Sequence, residues 1–231
     1  MTQTAEAQTQ MLARELLNPM IPPLKSTDTV AKALGWMAEF HLRQLPVVEN
    51  QEYRGLISED ILFEIETEDT LVASLPITHE DIFVNDQAHF YEVMQLAESH
   101  EMELMPVLDA RDRFEGVISI KESVMTFARL LTMQNSGGII VLLMDFRDYS
   151  LAEIGRLVEE NGAKILSAYT EPDTANPQLM RVTLKINQDD VARIVATLER
   201  FEYTIIGRYE AENDETWARE RIDSLFKFLE W

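Results

Sequence analysis

Leu45-Pro46-Val47-Val48, followed by Tyr53-Arg54-Gly55-Leu56-Ile57-Ser58, returns as Met105-Pro106-Val107-Leu108 followed by Phe114-Glu115-Gly116-Val117-Ile118-Ser119. The prolines lie 60 residues apart and the glycines 61, so one residue more in the second connecting turn accounts for the drift. Both runs are short and β-rich, and the polar turn Glu49-Asn50-Gln51-Glu52 joins the first pair as a hairpin. A supersecondary unit this small cannot bury both faces of its own sheet. The two copies are therefore expected to pack on each other around a shared cleft.

Outward from the hairpins, each copy reads as β-α-β-β-α. The first opens with Leu16-Leu17-Asn18-Pro19-Met20-Ile21-Pro22-Pro23-Leu24, where the prolines force an extended path after a short helix. Ser26-Thr27-Asp28 offers caps for a helix carrying Val30, Ala33, Leu34 and Met37, and a further helix is expected to begin near Ser58. In the second copy Asn85-Asp86 takes the cap position and Val93, Leu96 and Ala97 the helix. Glu64, Glu66, Glu68 and Asp69, between the copies, read as a solvated helix end or linker.

After Gln134-Asn135-Ser136-Gly137-Gly138, read as a flexible domain joint, the pattern changes. Ile139 to Met144 is a continuous apolar run, expected to be a strand covered on both faces or a central strand with one face at an interface. Ser150-Leu151-Ala152-Glu153 is a capping box for a helix with Ile154, Leu157 and Val158 on one face and Gly162 at its end. Ala163 to Tyr169 and Leu179 to Ile186 read as strands, and Asn187 as the cap of a helix carrying Val191, Ile194, Val195 and Leu198. Tyr203 to Ile206 closes a β-α-β-β-α-β order, the ferredoxin-like sandwich with helices on one face. A last helix, Trp217 to Trp231, carries Ile222, Leu225, Phe226 and Leu229 on one stripe that needs a partner surface. The expected division is a frayed N-terminus 1–10, repeats over 11–70 and 71–134, an α+β domain over 135–212 and a terminal helix over 213–231, an α/β (α+β) chain overall.

Composition narrows the function. The net charge of −21 repels phosphate backbones and anionic headgroups, so neither nucleic acid nor a membrane is an expected partner. The longest apolar run, Ile139 to Met144, is too short to cross a bilayer. The chain has no cysteine, which removes disulfides, thiolate catalysis and thiolate-bound zinc and fits a reducing compartment. Met1 to Gln10 lacks the basic and apolar segments of a secretion signal, so a cytoplasmic protein is expected. His41, His79, His89 and His100 show no metal-ligand spacing, and no phosphate loop, dinucleotide fingerprint or nucleophile elbow occurs. The chain is expected not to be an enzyme.

The two matched proline and glycine runs resemble the core of cystathionine-β-synthase (CBS) domains, over roughly residues 12–130, and Asn18-Pro19-Met20 is similar to that family's usual start. The resemblance implies a Bateman module, a regulatory pair of repeats whose clefts often bind adenosine nucleotides. It also implies that the Pro46-Val47 and Pro106-Val107 strands supply backbone groups to the base. In ribose-holding CBS sites the serine or threonine after the glycine strand is followed three residues later by an aspartate. Here Ser58 is followed at that distance by Ile61, with Asp60 one place early, and Ser119 by Glu122. Isoleucine cannot accept a hydrogen bond, so the first site needs a shifted turn to use Asp60, whereas the second can use the longer Glu122. The 137–210 half resembles ACT domains in element order, with Asp148-Tyr149-Ser150 where that family usually has a loop glycine. The combination is similar to bacterial acetoin-utilization-type regulatory proteins.

The candidate ligand-binding residues are therefore Pro46, Val47, Ser58, Asp60, Pro106, Val107, Ser119 and Glu122. Ser58 and Ser119 each have a second role open to them, capping the helix that follows. The expected function is non-enzymatic sensing of a small ligand between the repeats, passed to the ACT-like domain and thence to a regulated protein that the sequence does not name. The expected assembly is a homodimer, and no resident cofactor is expected beyond a regulatory adenosine nucleotide. A constitutive scaffold with vestigial clefts is the alternative.

Overall fold

The structure, a computed structural model, describes residues 11–132 and 136–210. It divides into two compact units, Met1–Ala128 and Arg129–Trp231. The N-terminal tail over 1–10 and the terminal helix expected over 213–231 lie outside the described residues.

In the first unit, β1 (Leu17–Asn18), α1 (Val30–Phe40), β2 (Gln44–Glu49), β3 (Glu52–Ser58) and α2 (Glu59–Phe63) form the first repeat. The second repeat comprises β4 (Val84–Asn85), α3 (Phe90–Ser99), β5 (Leu104–Leu108), β6 (Phe114–Ser119) and α4 (Ile120–Thr132). The β2–β3 hairpin turns through Asn50 and Gln51, both at positive φ, as a tight hairpin matched to strand twist requires.

The repeats exchange their leading segments. β1, from the first repeat, pairs antiparallel with β6 of the second through Leu17–Ile118 and Asn18–Val117. Thr78, from the second repeat, in turn bridges Leu56 of β3, with Leu56 N–H donating to Thr78 O at 2.7 Å and Thr78 N–H returning to Leu56 O at 2.9 Å. Each hairpin is thus flanked by its own repeat's inner segment on one side, Leu24 beside Val47 or β4 beside β5, and by the other repeat's outer segment on the other. The cores are shared accordingly. Leu104 and Val117 pack with Val30, Met37, Leu45 and Ile57, whereas Leu56 packs with Val93, Met105 and Ile118. Each such side chain contributes on the order of 1.5–3 kcal/mol by leaving water, and the share buried across the two repeats is lost to a repeat alone. Across the approximate twofold, Tyr53 and Phe114 stack at 6.3 Å with their planes 13° apart.

Two helix starts depart from expectation. Thr29, not Ser26 to Asp28, caps α1, because Asp28 already accepts from the Lys25 N–H and the Lys32 ammonium. His89 caps α3, since the Asn85 side chain is held by the Gln87 N–H in the preceding turn.

The second unit is built from β7 (Ile139–Asp145), α5 (Leu151–Glu160), β8 (Ile165–Pro172), β9 (Leu179–Ile186), α6 (Ala192–Arg200) and β10 (Thr204–Tyr209). Its sheet order, β10-β7-β9-β8, is antiparallel throughout, the ferredoxin-like arrangement anticipated from the element order. Ile140, Leu142 and Met144 of β7 are buried with Ile154, Leu157, Ile194 and Leu198 of the helices. Ser150 caps α5 and Gly162, at φ 73°, follows its end, as read from the sequence. Asn187 does not cap α6: its side chain accepts from the Lys164 N–H at 2.6 Å, and Asp190 receives the Ala192 N–H instead.

Ser136 to Gly138 is not a loose joint. A Cβ on Gly137 would fall 1.8 Å from Ile186 O, and the Gly138 N–H donates to Gln188 O at 2.7 Å. The glycines are there because two backbones touch. Among the described residues no helix is long and apolar enough to cross a membrane.

Candidate functional site

The start of α4 faces a cleft of about 630 Å³ within the first unit. One wall is the exchanged leading segment, Asn18, Met20 and Ile21; another is the end of α1, Phe40, His41 and Leu42. Met102 and Glu103, before β5, close it, and Ser119 to Glu122 form the floor. His41 reaches this wall because it ends α1 in the left-handed conformation at φ 55°, turning the chain toward β2.

The polar groups are arranged around Glu122. Its carboxylate accepts from Asn18 Nδ2 at 2.7 Å, while Asn18 Oδ1 accepts from the Met20 N–H at 2.8 Å. Ser119, only 6% exposed, accepts the Glu122 N–H at 3.4 Å, so the cap expected of it is present. A carboxylate spends one oxygen on Asn18 and retains acceptor capacity on the other. The first turn of α4 is already partly satisfied, Ile120 N–H donating to Glu103 O at 3.0 Å and Glu122 N–H to Ser119, while Met20, Ile21, Phe40 and Leu42 supply apolar area. Lys121 and His41 are the basic side chains on the lining, against Glu103 and Glu122. A flat apolar group bearing neutral hydroxyls matches this lining better than a chain of phosphates does.

Glu103 is itself tied across the twofold. Its Oε1 accepts from both Arg43 Nε at 2.8 Å and Nη2 at 2.6 Å and its Oε2 from the Arg43 backbone N–H at 3.2 Å, a charge-assisted contact that raises the guanidinium pKa, Asp60 and Glu59 adding smaller charge effects.

At the positions related by the repeat, the first helix start has Thr78 for Asn18, Ser58 for Ser119, Asp60 for Lys121 and Ile61 for Glu122. Ser58 stands at the start of α2 and makes no side-chain cap bond, and Asp60 is exposed on that helix's first turn. Pro46 and Val47 lie in β2 and Pro106 and Val107 in β5, all four buried, with Pro46 O accepting from the Leu24 N–H at 2.7 Å. Of the eight sequence candidates, Ser119 and Glu122 line the cleft and the four strand residues stand within the strands. Asn18, Phe40, His41 and Glu103 were not singled out by the sequence. Asn18 alone carried a signal, as part of the Asn18-Pro19-Met20 start.

No protein-family model matches the chain. A solved CBS domain pair/ACT domain protein from Thermotoga maritima superposes with a TM-score of 0.48 at 20% identity, over 52% of this chain and 99% of that one. A putative acetoin utilization protein from Vibrio cholerae gives 0.47 at 22%, over 54% and 96%. The CBS-pair protein CBSX2 of Arabidopsis thaliana, solved in complex with AMP, gives 0.45 at 17%, over 52% and 98%. At these levels the function of this chain has to be read from its own residues.

Proposed function

We propose that this chain is a non-catalytic regulatory protein whose cleft at Asn18, Ser119 and Glu122 takes an adenosine-type ligand. The carrying observation is a carboxylate, Glu122, held by Asn18 at the mouth of an apolar cleft beside a buried serine. Ribose hydroxyls donate to the free Glu122 oxygen, and the base lies against Ile21 and Phe40. Pro106 and Val107, with Pro46 and Val47, support the cleft from the strands. The equivalent position at Ser58 and Asp60 is the poorer one, because Ile61 offers no acceptor, so one ligand per chain is expected.

A ligand biases the protein only by preferring one arrangement over another. α4 begins at the cleft and carries the chain out of the first repeat pair, so its first turn is the element the ligand acts on. The second unit, with its ferredoxin-like order, is read as an ACT-like receiver of that bias, in a cytoplasmic homodimer. Ile61 in place of an acidic residue favours a vestigial role for the first repeat's own cleft, the part of the scaffold reading that stands on an observation.

Calorimetric titration with adenosine, AMP, ADP, ATP, nicotinamide nucleotides and amino acids tests the proposal. A hydrogen bond to a charged group is worth about 1.5–3 kcal/mol, so Glu122→Ala should weaken binding roughly 10- to 150-fold while Asp60→Ala leaves it unchanged. Silence across all ligands at millimolar concentration, or equal affinity in Glu122→Ala, overturns it.

A further inference from the structure

We infer that the open face of the second unit's sheet is the seat of the chain's own C-terminal segment, 211–231. The alternation along β7 buries Ile140, Leu142 and Met144 beneath α5 and α6 and sends Ile139, Val141 and Leu143 to the opposite face. No helix among the described residues covers that face. A depression of about 630 Å³ spans it, lined by Val141, Tyr169, Thr183, Ile206 and Tyr209 among others. Tyr169, Ile206 and Tyr209 expose 59%, 46% and 61% of their surface. The apolar groups stand on either side of the β9 row Arg181, Thr183 and Lys185, and exposed aromatic and aliphatic side chains gathered on one sheet face in this way fit a contact surface.

The segment beyond β10 has the complementary pattern. Ile222, Leu225, Phe226 and Leu229 recur at the spacing of one helical face, with Trp217 and Trp231 at either end. β10 is an edge strand and its last residue, Tyr209, lines the depression, so the chain leaves the sheet at the rim of the patch. Residues 210–216 can span up to about 24 Å, enough to turn back over the sheet. A helix over 217–231 would be about 22 Å long, against a four-stranded sheet about 19 Å across. A tethered segment also reaches the patch at an effective concentration in the millimolar range, well above that of a second copy at micromolar protein.

The absence of cysteine makes the test direct in the full chain. Thr183→Cys combined with Leu225→Cys should form an intramolecular disulfide on mild oxidation at micromolar protein. Thr183→Cys with Lys227→Cys, displaced by about 200° around a helix, should form it at least about tenfold more slowly. Disulfide-linked dimers would make a second copy the occupant, and absent or equal cross-linking would leave the segment unseated; either result overturns the inference. Should the cysteine pairs fail to fold, hydroxyl-radical footprinting of the cysteine-free chain and its Phe226→Asp variant decides. Tyr169 and Tyr209 should label at least about threefold more in Phe226→Asp than in the parent chain, and unchanged labelling overturns the inference.

Discussion

Gly55→Ala tests the exchange of leading segments at its tightest point. Gly55 sits at φ 133°, where an added Cβ would stand 2.3 Å from Ile77 Cγ2 and 2.5 Å from Thr78 O. Alanine is strained in that backbone region by about 1–3 kcal/mol. Relief of the clash requires Thr78 to withdraw, which breaks its two backbone hydrogen bonds to Leu56, at about 0.5–1.5 kcal/mol each. The expected cost is about 4 kcal/mol, within a range of roughly 2–6. Gly116, the equivalent residue of the second repeat, provides the control. There a Cβ would meet only the Leu17 Cδ2 methyl, at 3.1 Å and at the end of a side chain that can shift, so Gly116→Ala should cost less than about 1 kcal/mol. Urea unfolding followed by far-UV circular dichroism and tryptophan fluorescence, Trp36 being the tryptophan of the first unit, measures both. If the two variants lie within about 1 kcal/mol of each other, the 77–78 segment does not rest on β3 as described.

Ser119→Ala removes a helix cap and should cost about 1 kcal/mol in the same assay, whereas Ser58→Ala, which removes no cap bond, should cost under about 0.5. Leu104→Ala, a fully buried side chain packed against the first repeat, should cost about 2–5 kcal/mol and leave the two repeats unfolding in one transition. Asp109 is held at a pKa of about 2 by hydrogen bonds from the Arg113 side chain and backbone. A carboxyl lowered on folding stabilises above its unfolded value near 3.8 and loses that contribution as pH falls through about 2. Carboxyl-carbon NMR should place its titration there, and Arg113→Ala should return it toward the ordinary range.

The local features were legible because local chemistry sets them. The hairpins follow from β-rich runs around Asn50-Gln51, and the capping box at Ser150 from its own four residues. The ferredoxin-like order in the second unit followed from apolar spacing punctuated by the capping box and Gly162. What escaped depended on which of several competing partners, near or far in the chain, takes each group. Thr29 displaces Asp28 as the cap only because Asp28 is engaged by two lysines, and Asn187 is drawn to Lys164 across the fold. The Gly137-Gly138 pair carries the composition of a loose joint, and only the backbone of 186–188 against it reveals a tight fit. At the cleft, Ser119 and Glu122 could be found from the repeat, since both follow the glycine strand. Asn18 and His41 could not, because one arrives by the exchange of leading segments and the other by a left-handed helix end.

That exchange also orders events during synthesis. β3 leaves the ribosome with one edge bare until Thr78 emerges some twenty residues later, and β1 waits about a hundred residues for β6. The first repeat's sheet is consequently unfinished until residue 78 and the second's until residue 119, and closing the larger of these loops should slow folding and leave a nascent edge open to wrong pairing. A chain arrested before residue 114 should be held by chaperones rather than fold.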